Sequence, residues 1–301
     1  MDKYSALPKQ GVETPALARR ISTLLYSKVK LRLTLLLAAP LTWLVLVYIA
    51  ALLALLVTAL YSVDSYTSQI QTQLTFKNVL KVLTGQVYQT VALRTLGIAL
   101  LVTIVDTLIA LPIAFYMAKI ASPRLQRLLV IAVLMPLWAS YLVKAYAWRS
   151  VLSNEGIMQW LLRPLGLDTP GYGITATIIT LGYLWLPYVI LPIYAGLERV
   201  PNSLLEASGD LGAKTSTTLR LVMLPMLVPA IIAGSIFSFS LTMGDYITVN
   251  IVGGANQMLG NLVATNVGNN LPLAAAIALI PVLIMFGYLT AVRKTGALEN
   301  L

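Results

Sequence analysis

The 301-residue chain has no cysteine and no histidine. Without a thiol there is no disulfide and no thiolate nucleophile. Without an imidazole there is no histidine metal ligand and no histidine-based catalytic triad. Charge is scarce too: 11% of residues are Asp, Glu, Lys or Arg, against about 25% in soluble domains. Apolar residues supply 58% of the chain and the mean hydropathy is +0.82, which places it in the membrane class. The net charge of +10 would indicate a nucleic-acid partner in a soluble protein. In a membrane chain it follows from lysine and arginine gathering in cytoplasmic loops, so no nucleic-acid partner is expected.

A spanning helix needs about 20 mostly apolar residues. Six stretches qualify: 33–61, 96–118, 125–148, 174–196, 226–247 and 271–292. Internal prolines recur at Pro112, Pro136, Pro187, Pro192, Pro229 and Pro281. Each frees a backbone carbonyl and kinks its helix, tolerable where neighbours or a cavity satisfy it, and so many kinks fit a transporter better than an anchor. With the N-terminus inside, 15 of the 21 lysines and arginines fall on the cytoplasmic side, which puts both termini in the cytoplasm. The external segment 253–270 has no charge. The expected architecture is therefore all-α and polytopic, with six transmembrane helices. Residues 1–32 form a cytoplasmic tail, polar and basic rather than a signal peptide. The membrane domain covers 33–292, and 293–301 is a second cytoplasmic tail.

The segment 197–225, between the fourth and fifth spans, is unlike an ordinary connector. Ser203 followed by Glu206 has capping-box spacing and predicts a helix starting there. Gly212 is placed to end it in a left-handed conformation. A second helix is expected from Thr215 or Ser216 into the fifth span, with Pro225 at the join. Ala207, Ser208, Gly209, Gly212 and Ala213 let another surface approach the backbone closely, and Leu204, Leu205 and Leu211 offer apolar anchors. A short helix of this kind projecting from a membrane domain reads as a docking element.

Glu206-Ala207-Ser208, then Gly212 after three residues, then Val222-x-Leu224-Pro225 resembles the EAA loop of ABC importer permeases. That pattern is Glu-Ala-Ala, three residues, Gly, nine residues, Ile-x-Leu-Pro. Ser208 stands for the second alanine and Val222 for the isoleucine. The resemblance implies a type I ABC importer permease fold in a bacterial inner membrane, with this loop as the coupling helix seated in a groove of the ATP-hydrolysing subunit. The residues implied in coupling are Leu205, Glu206, Ala207, Asp210, Leu211 and Gly212. The implied partners are a second permease subunit, two copies of an ABC ATPase, an external solute-binding protein and the lipid bilayer. ATP and Mg2+ would be used by the ATPase; this chain would bind no cofactor and catalyse no reaction.

Three further stretches, residues 135–148, Leu152-Ser153-Asn154-Glu155-Gly156-Ile157, and Gly244-Asp245-Tyr246-Ile247 with Gly253-Gly254 and Leu259-Gly260-Asn261, are similar to the permeases of spermidine/putrescine importers. Importers of other organic cations and of opine-type compounds share much of the pattern.

Ionisable groups inside spans cost roughly 2.5–3.5 kcal/mol at the centre on insertion scales and are functional candidates. Asp106 lies mid-span in the second stretch, and Asp245, beside Tyr246, near the outer end of the fifth. These carboxylates would stabilise a cationic amine in transit, as would the aromatic faces of Trp138, Tyr141, Tyr146 and Trp185. Asp64 and Tyr66, just outside the first span, are placed at the entrance. Duller readings stand beside these: Asp106 paired with a polar group on a neighbouring helix, Asp245 capping a helix end, and the aromatics forming an interfacial belt. An ion-coupled secondary transporter would call for more helices or broken inverted repeats. A membrane enzyme would call for a catalytic cluster that is missing here.

Overall fold

A computed structural model describes residues 29–64 and 66–293. The tail expected at 1–32 and the one expected at 293–301 lie almost entirely outside the described residues. The chain divides into two compact units, residues 1–55 and 56–301. In the first, the described part belongs to one continuous apolar helix, α1 (Val29–Ala59), which runs on across the division.

After α1, a two-stranded antiparallel ribbon pairs β1 (Ser62–Val63) with β2 (Ile70–Gln71). Its turn is held by Asp64, whose Oδ1 accepts the amides of Tyr66 at 2.8 Å and Thr67 at 3.1 Å. These backbone bonds hold the Asp64 carboxyl below its ordinary pKa. The short helix α2 (Lys77–Thr84) leads into α3 (Gln86–Phe115), which continues through a wide π turn, Tyr116–Ile120.

Next come α4 (Pro123–Trp138), α5 (Tyr141–Val151), α6 (Ile157–Leu162) and α7 (Ile174–Arg199). A connector on the cytoplasmic side of the sequence assignment contains α8 (Asn202–Asp210), α9 (Thr215–Thr218) and a second π turn, Leu219–Met223. Then follow α10 (Leu224–Gly244), α11 (Ile247–Val252), α12 (Leu259–Val267) and α13 (Leu271–Arg293).

Among the described residues, five helical stretches are long and apolar enough to span: Leu36–Ala59, Gln86–Ile120, Ile174–Arg199, Thr215–Gly244 and Leu271–Arg293. The third span, expected as one helix over 125–148, is broken: α4 and α5 meet at 96°. The break is not at Pro136, which sits inside α4. It lies at Ala139 and Ser140, both extended, with ψ of 141° and 138°. Beyond it α5 packs across α11, and its first residue, Tyr141, hydrogen-bonds to Asp245. The fifth span also ends earlier than expected, at Gly244 rather than 247.

In lipid there is little hydrophobic gain from joining apolar helices, so close packing carries the association. The core of the second unit is α3, α7 and α10. Small residues bring α7 and α10 together: a Cβ on Gly196 would lie 2.7 Å from the Ala230 Cβ, and one on Gly234 would lie 3.0 Å from the Val189 Cα. At the end of these helices nearest the 197–225 connector, Ala114, Met117, Ile193, Leu197, Met223 and Leu227 form a buried cluster that closes their base.

Candidate functional site: a projecting loop helix and a buried carboxylate

The loop 197–225 folds largely as its residue pattern indicates. Gly212 adopts φ +75°, and the end of α8 is a Schellman motif: Ala213 N–H donates to Ser208 O at 3.1 Å and Gly212 N–H to Gly209 O at 2.8 Å. The start of α8 differs. The expected capping box of Ser203 and Glu206 does not form, because the N-cap falls two residues earlier, at Pro201, which makes no side-chain bond, and the helix begins at Asn202. Ser203 is thereby inside the first turn, where its hydroxyl cannot cap.

Besides a bond that Asn202 accepts from Lys119, two contacts hold α8 to its own chain. Leu205 packs on the buried cluster, and the buried Ser208 shares a 2.8 Å hydrogen bond with Thr218 at the head of the fifth span. The other face is open. Glu206, Ala207, Asp210 and Gly212 are exposed, Leu211 is 89% exposed, and a Cβ added at Gly209 or Gly212 would meet nothing within 4 Å. A leucine left almost wholly in solvent beside two glycines with open space makes a surface suited to receiving another one.

The second feature lies at the other end of α10. Asp245 ends that helix in an extended conformation and is buried. Its Oδ1 accepts the Thr248 amide at 2.9 Å, and its Oδ2 accepts Tyr141 Oη and, at 3.3 Å, Thr248 Oγ1. Tyr141 stacks on Trp185 with centroids 5.9 Å apart, and Trp185 meets Tyr188 at the same distance. The Trp185 Nε1 and Thr242 Oγ1 are buried with no hydrogen-bond partner among the described residues, each an unmet cost of roughly 1–3 kcal/mol. The returning chain closes the site. A Cβ on Gly260 would lie 2.7 Å from Asp245 O, and Asn261 Nδ2 donates to Tyr246 O at 3.0 Å. A carboxyl group backed by aromatic faces has the chemistry that holds an organic ammonium.

The sequence candidates therefore separate. Asp245 and Tyr141 are brought together. Tyr246 adjoins them but leaves its ring 44% exposed, and Trp138, at the break, is 91% exposed. Asp106 is elsewhere, buried against Ser238, two turns from Asp245 along α10, or about 10 Å. Trp185 becomes part of the site through stacking, and Thr248 was not among the candidates: a threonine three residues after an aspartate is too common to mark it. Among the described residues no cluster of His, Cys, Asp and Glu is suited to a metal ion.

Comparison with known proteins agrees with this architecture. The family described as binding-protein-dependent transport system inner membrane component matches residues 91–293. The chain is 41% identical to the inner membrane ABC transporter permease protein YdcU of Escherichia coli K12, over 97% of this chain and 98% of that one. It is 30% identical to the spermidine/putrescine transport system permease protein PotB of the same organism, over 86% of this chain and 95% of that one. A solved bacterial ABC transporter involved in import of the acidic polysaccharide alginate shares the fold, with TM-score 0.62 at 14% identity over 91% of this chain and 99% of that one. The alginate transporter in complex with its pentasaccharide-bound periplasmic protein gives 0.67 at the same identity, over 92% and 94%. With the family matched over most of the chain and a relative aligned along nearly all of it, this protein belongs to the binding-protein-dependent inner membrane components, the permease subunits of ABC transporters.

Proposed function

We propose that this permease imports a polyamine or a closely related organic amine. In this reading it pairs with a second, different permease, two ATPase subunits that bind ATP and Mg2+, and an external solute-binding protein. The coupling assignment rests on one observation: α8 is held to its own chain by Leu205 and Ser208 while Glu206, Ala207, Asp210, Leu211 and Gly212 face outward. Docked on an ATPase, that face converts closure of the ATPases into rocking of α7 and α10, the spans that flank it.

The substrate assignment draws on the relatives named for spermidine and putrescine and on Asp245 with its aromatic surround. The carboxylate offers charge, Tyr141 and Trp185 offer ring faces, and Tyr246 and Trp138 stand at the margin of the same region. Asp106, already engaged by Ser238, holds two spans together on this reading. The five spans and the broken third one make half of a pathway, completed at the interface with the second permease.

The test is uptake of radiolabelled spermidine and putrescine by cells expressing the chain with its cognate partners. Saturable uptake that falls about tenfold or more in Asp245→Asn, the loss expected for ~1.4 kcal/mol of binding, with membrane levels unchanged, supports the amine pathway. No polyamine uptake, while ATP hydrolysis still responds to the cognate binding protein, leaves the permease reading intact and discards the substrate. An opine or another small organic solute then takes its place.

A further inference from the structure

Two segments 81 residues apart in sequence meet at one ammonium group. Lys119 Nζ donates to the Val200 carbonyl at 2.7 Å and to Asn202 Oδ1 at 3.1 Å. Lys119 lies in the π turn that closes α3, Val200 caps the C-terminus of α7, and Asn202 is the first residue of α8. Beside it, Gln126 of α4 donates to Tyr194 Oη at 2.7 Å and to Glu198 Oε1 at 2.9 Å, and Tyr194 donates to the same carboxylate oxygen at 2.5 Å. Lys119, Gln126, Glu198, Val200 and Asn202 wall an open cleft of about 310 Å³.

We infer that Lys119 is a positioning residue that carries displacement of α8 into α3, a mechanical connection additional to the covalent joints of α8 with α7 and α10. The inference rests on the reading of α8 as the docking helix. Three physical points lead to it. First, the joint between α7 and α8 is Val200-Pro201-Asn202, and Pro201 gives α8 no side-chain cap, so the restraints within α8, Leu205 and Ser208, act farther along the helix than the joint itself. Second, Lys119 supplies a restraint at the joint: its cation sits on a terminal carbonyl of α7, the negative end of that helix dipole, and its second bond reaches the first residue of α8. Third, the bond from Lys119 to the Val200 carbonyl is part-buried, so water does not freely replace it, while the bond to Asn202 is exposed. A push on α8 therefore moves the base of α3 as well as its own flanking spans. Gln126, Tyr194 and Glu198 tie α4 into the same junction.

The experiment uses the complete transporter in proteoliposomes, comparing ATP hydrolysis with and without the cognate binding protein. Residues along a coupling network change coupling by ~0.5–2 kcal/mol. In Lys119→Met the factor by which the binding protein stimulates hydrolysis is expected to fall about threefold or more, with unstimulated hydrolysis close to that of the parent. Lys119→Arg restores at least part of the factor. Asn202→Ala, which removes one acceptor at an exposed position, gives a smaller fall and serves if Lys119→Met does not assemble. Stimulated and unstimulated rates falling in proportion in Lys119→Met, or an unchanged factor in both variants, overturn the inference. Glu206→Lys separates the two levels. If it too leaves the factor unchanged, the docking reading of α8 fails; if it abolishes stimulation while Lys119 and Asn202 variants do not, only the Lys119 inference falls.

Discussion

Ser238 donates a 2.7 Å hydrogen bond to Asp106 Oδ2, joining α10 to α3 through two side chains that are both buried. Inter-helix polar bonds in membranes contribute ~0.6 kcal/mol on average and up to ~1.7. Ser238→Ala is expected to lower the stability of the detergent-purified chain by that amount, read from its thermal unfolding. Asp106→Asn keeps an acceptor for the Ser238 hydroxyl and is expected to retain at least half of the uptake. A loss as large as that of Asp245→Asn would instead put Asp106 on the substrate route.

Tyr141→Phe removes one donor to Asp245 while keeping the ring that stacks on Trp185. A hydrogen bond of this kind is worth about 0.5–1.5 kcal/mol, or roughly 2–10-fold. Uptake should decline by that factor at equal membrane abundance, with the change mainly in KM.

The two glycines of α8 answer different questions. Gly212→Ala forces a side chain into a left-handed conformation, at about 1–2 kcal/mol, and should loosen the end of α8. Gly209 has an ordinary helical backbone and open space around it, so Gly209→Ala should not lower the chain's thermal unfolding temperature, and alanine's better helix propensity should raise it slightly. A loss of ATPase binding or uptake in that variant therefore reports contact with another subunit, and unaffected function would show that this patch is not covered.

Gly260→Ala places a Cβ against the carbonyl of Asp245, a backbone atom with no flexible end to yield. Overpacking of this kind typically costs 1–3 kcal/mol. The variant should lose uptake together with stability, whereas Asp245→Asn should lose uptake alone; comparing unfolding curves with transport separates the two.

The Asp64 turn carries a pH dependence. Two backbone amides, Tyr66 first and then Thr67, hold its pKa below the ordinary value. The turn's stabilisation is therefore fully present above the unfolded aspartate pKa of about 3.9 and is lost as pH falls through the lower folded value. The amide signals of Tyr66 and Thr67 should titrate below pH ~3.9, and Asp64→Asn should remove the transition.

Local signals were readable and remote ones were not. Gly212 and Thr215 could be placed because a left-handed stop and a helix start are written in neighbouring residues. The beginning of α8 was misplaced by two residues because Ser203 and Glu206 offered a plausible box, while Pro201, already extended at ψ 138°, started the helix ahead of it. The break in the third span has little local mark: 125–148 is mostly apolar, its charges Arg127 and Lys144 lie away from the turn, only Ser140 is polar there, and its proline lies inside α4. What coincides with the turn is a bond from Tyr141 to a residue 104 positions away, and spacing along one segment cannot reveal that. Lys119 escaped for the same reason. In the sequence it is one more cytoplasmic cation, and only the fold brings Val200 and Asn202 to it.

The outward face of α8 has an evolutionary consequence. Because Gly209 and Leu211 touch so little of their own chain, folding exerts almost no selection on them. On the proposed docking of α8, what restrains these positions comes from the subunit they meet. Two lineages of such a transporter would then drift until the permease of one no longer works with the ATPase of the other, while every polypeptide in both still folds and inserts normally.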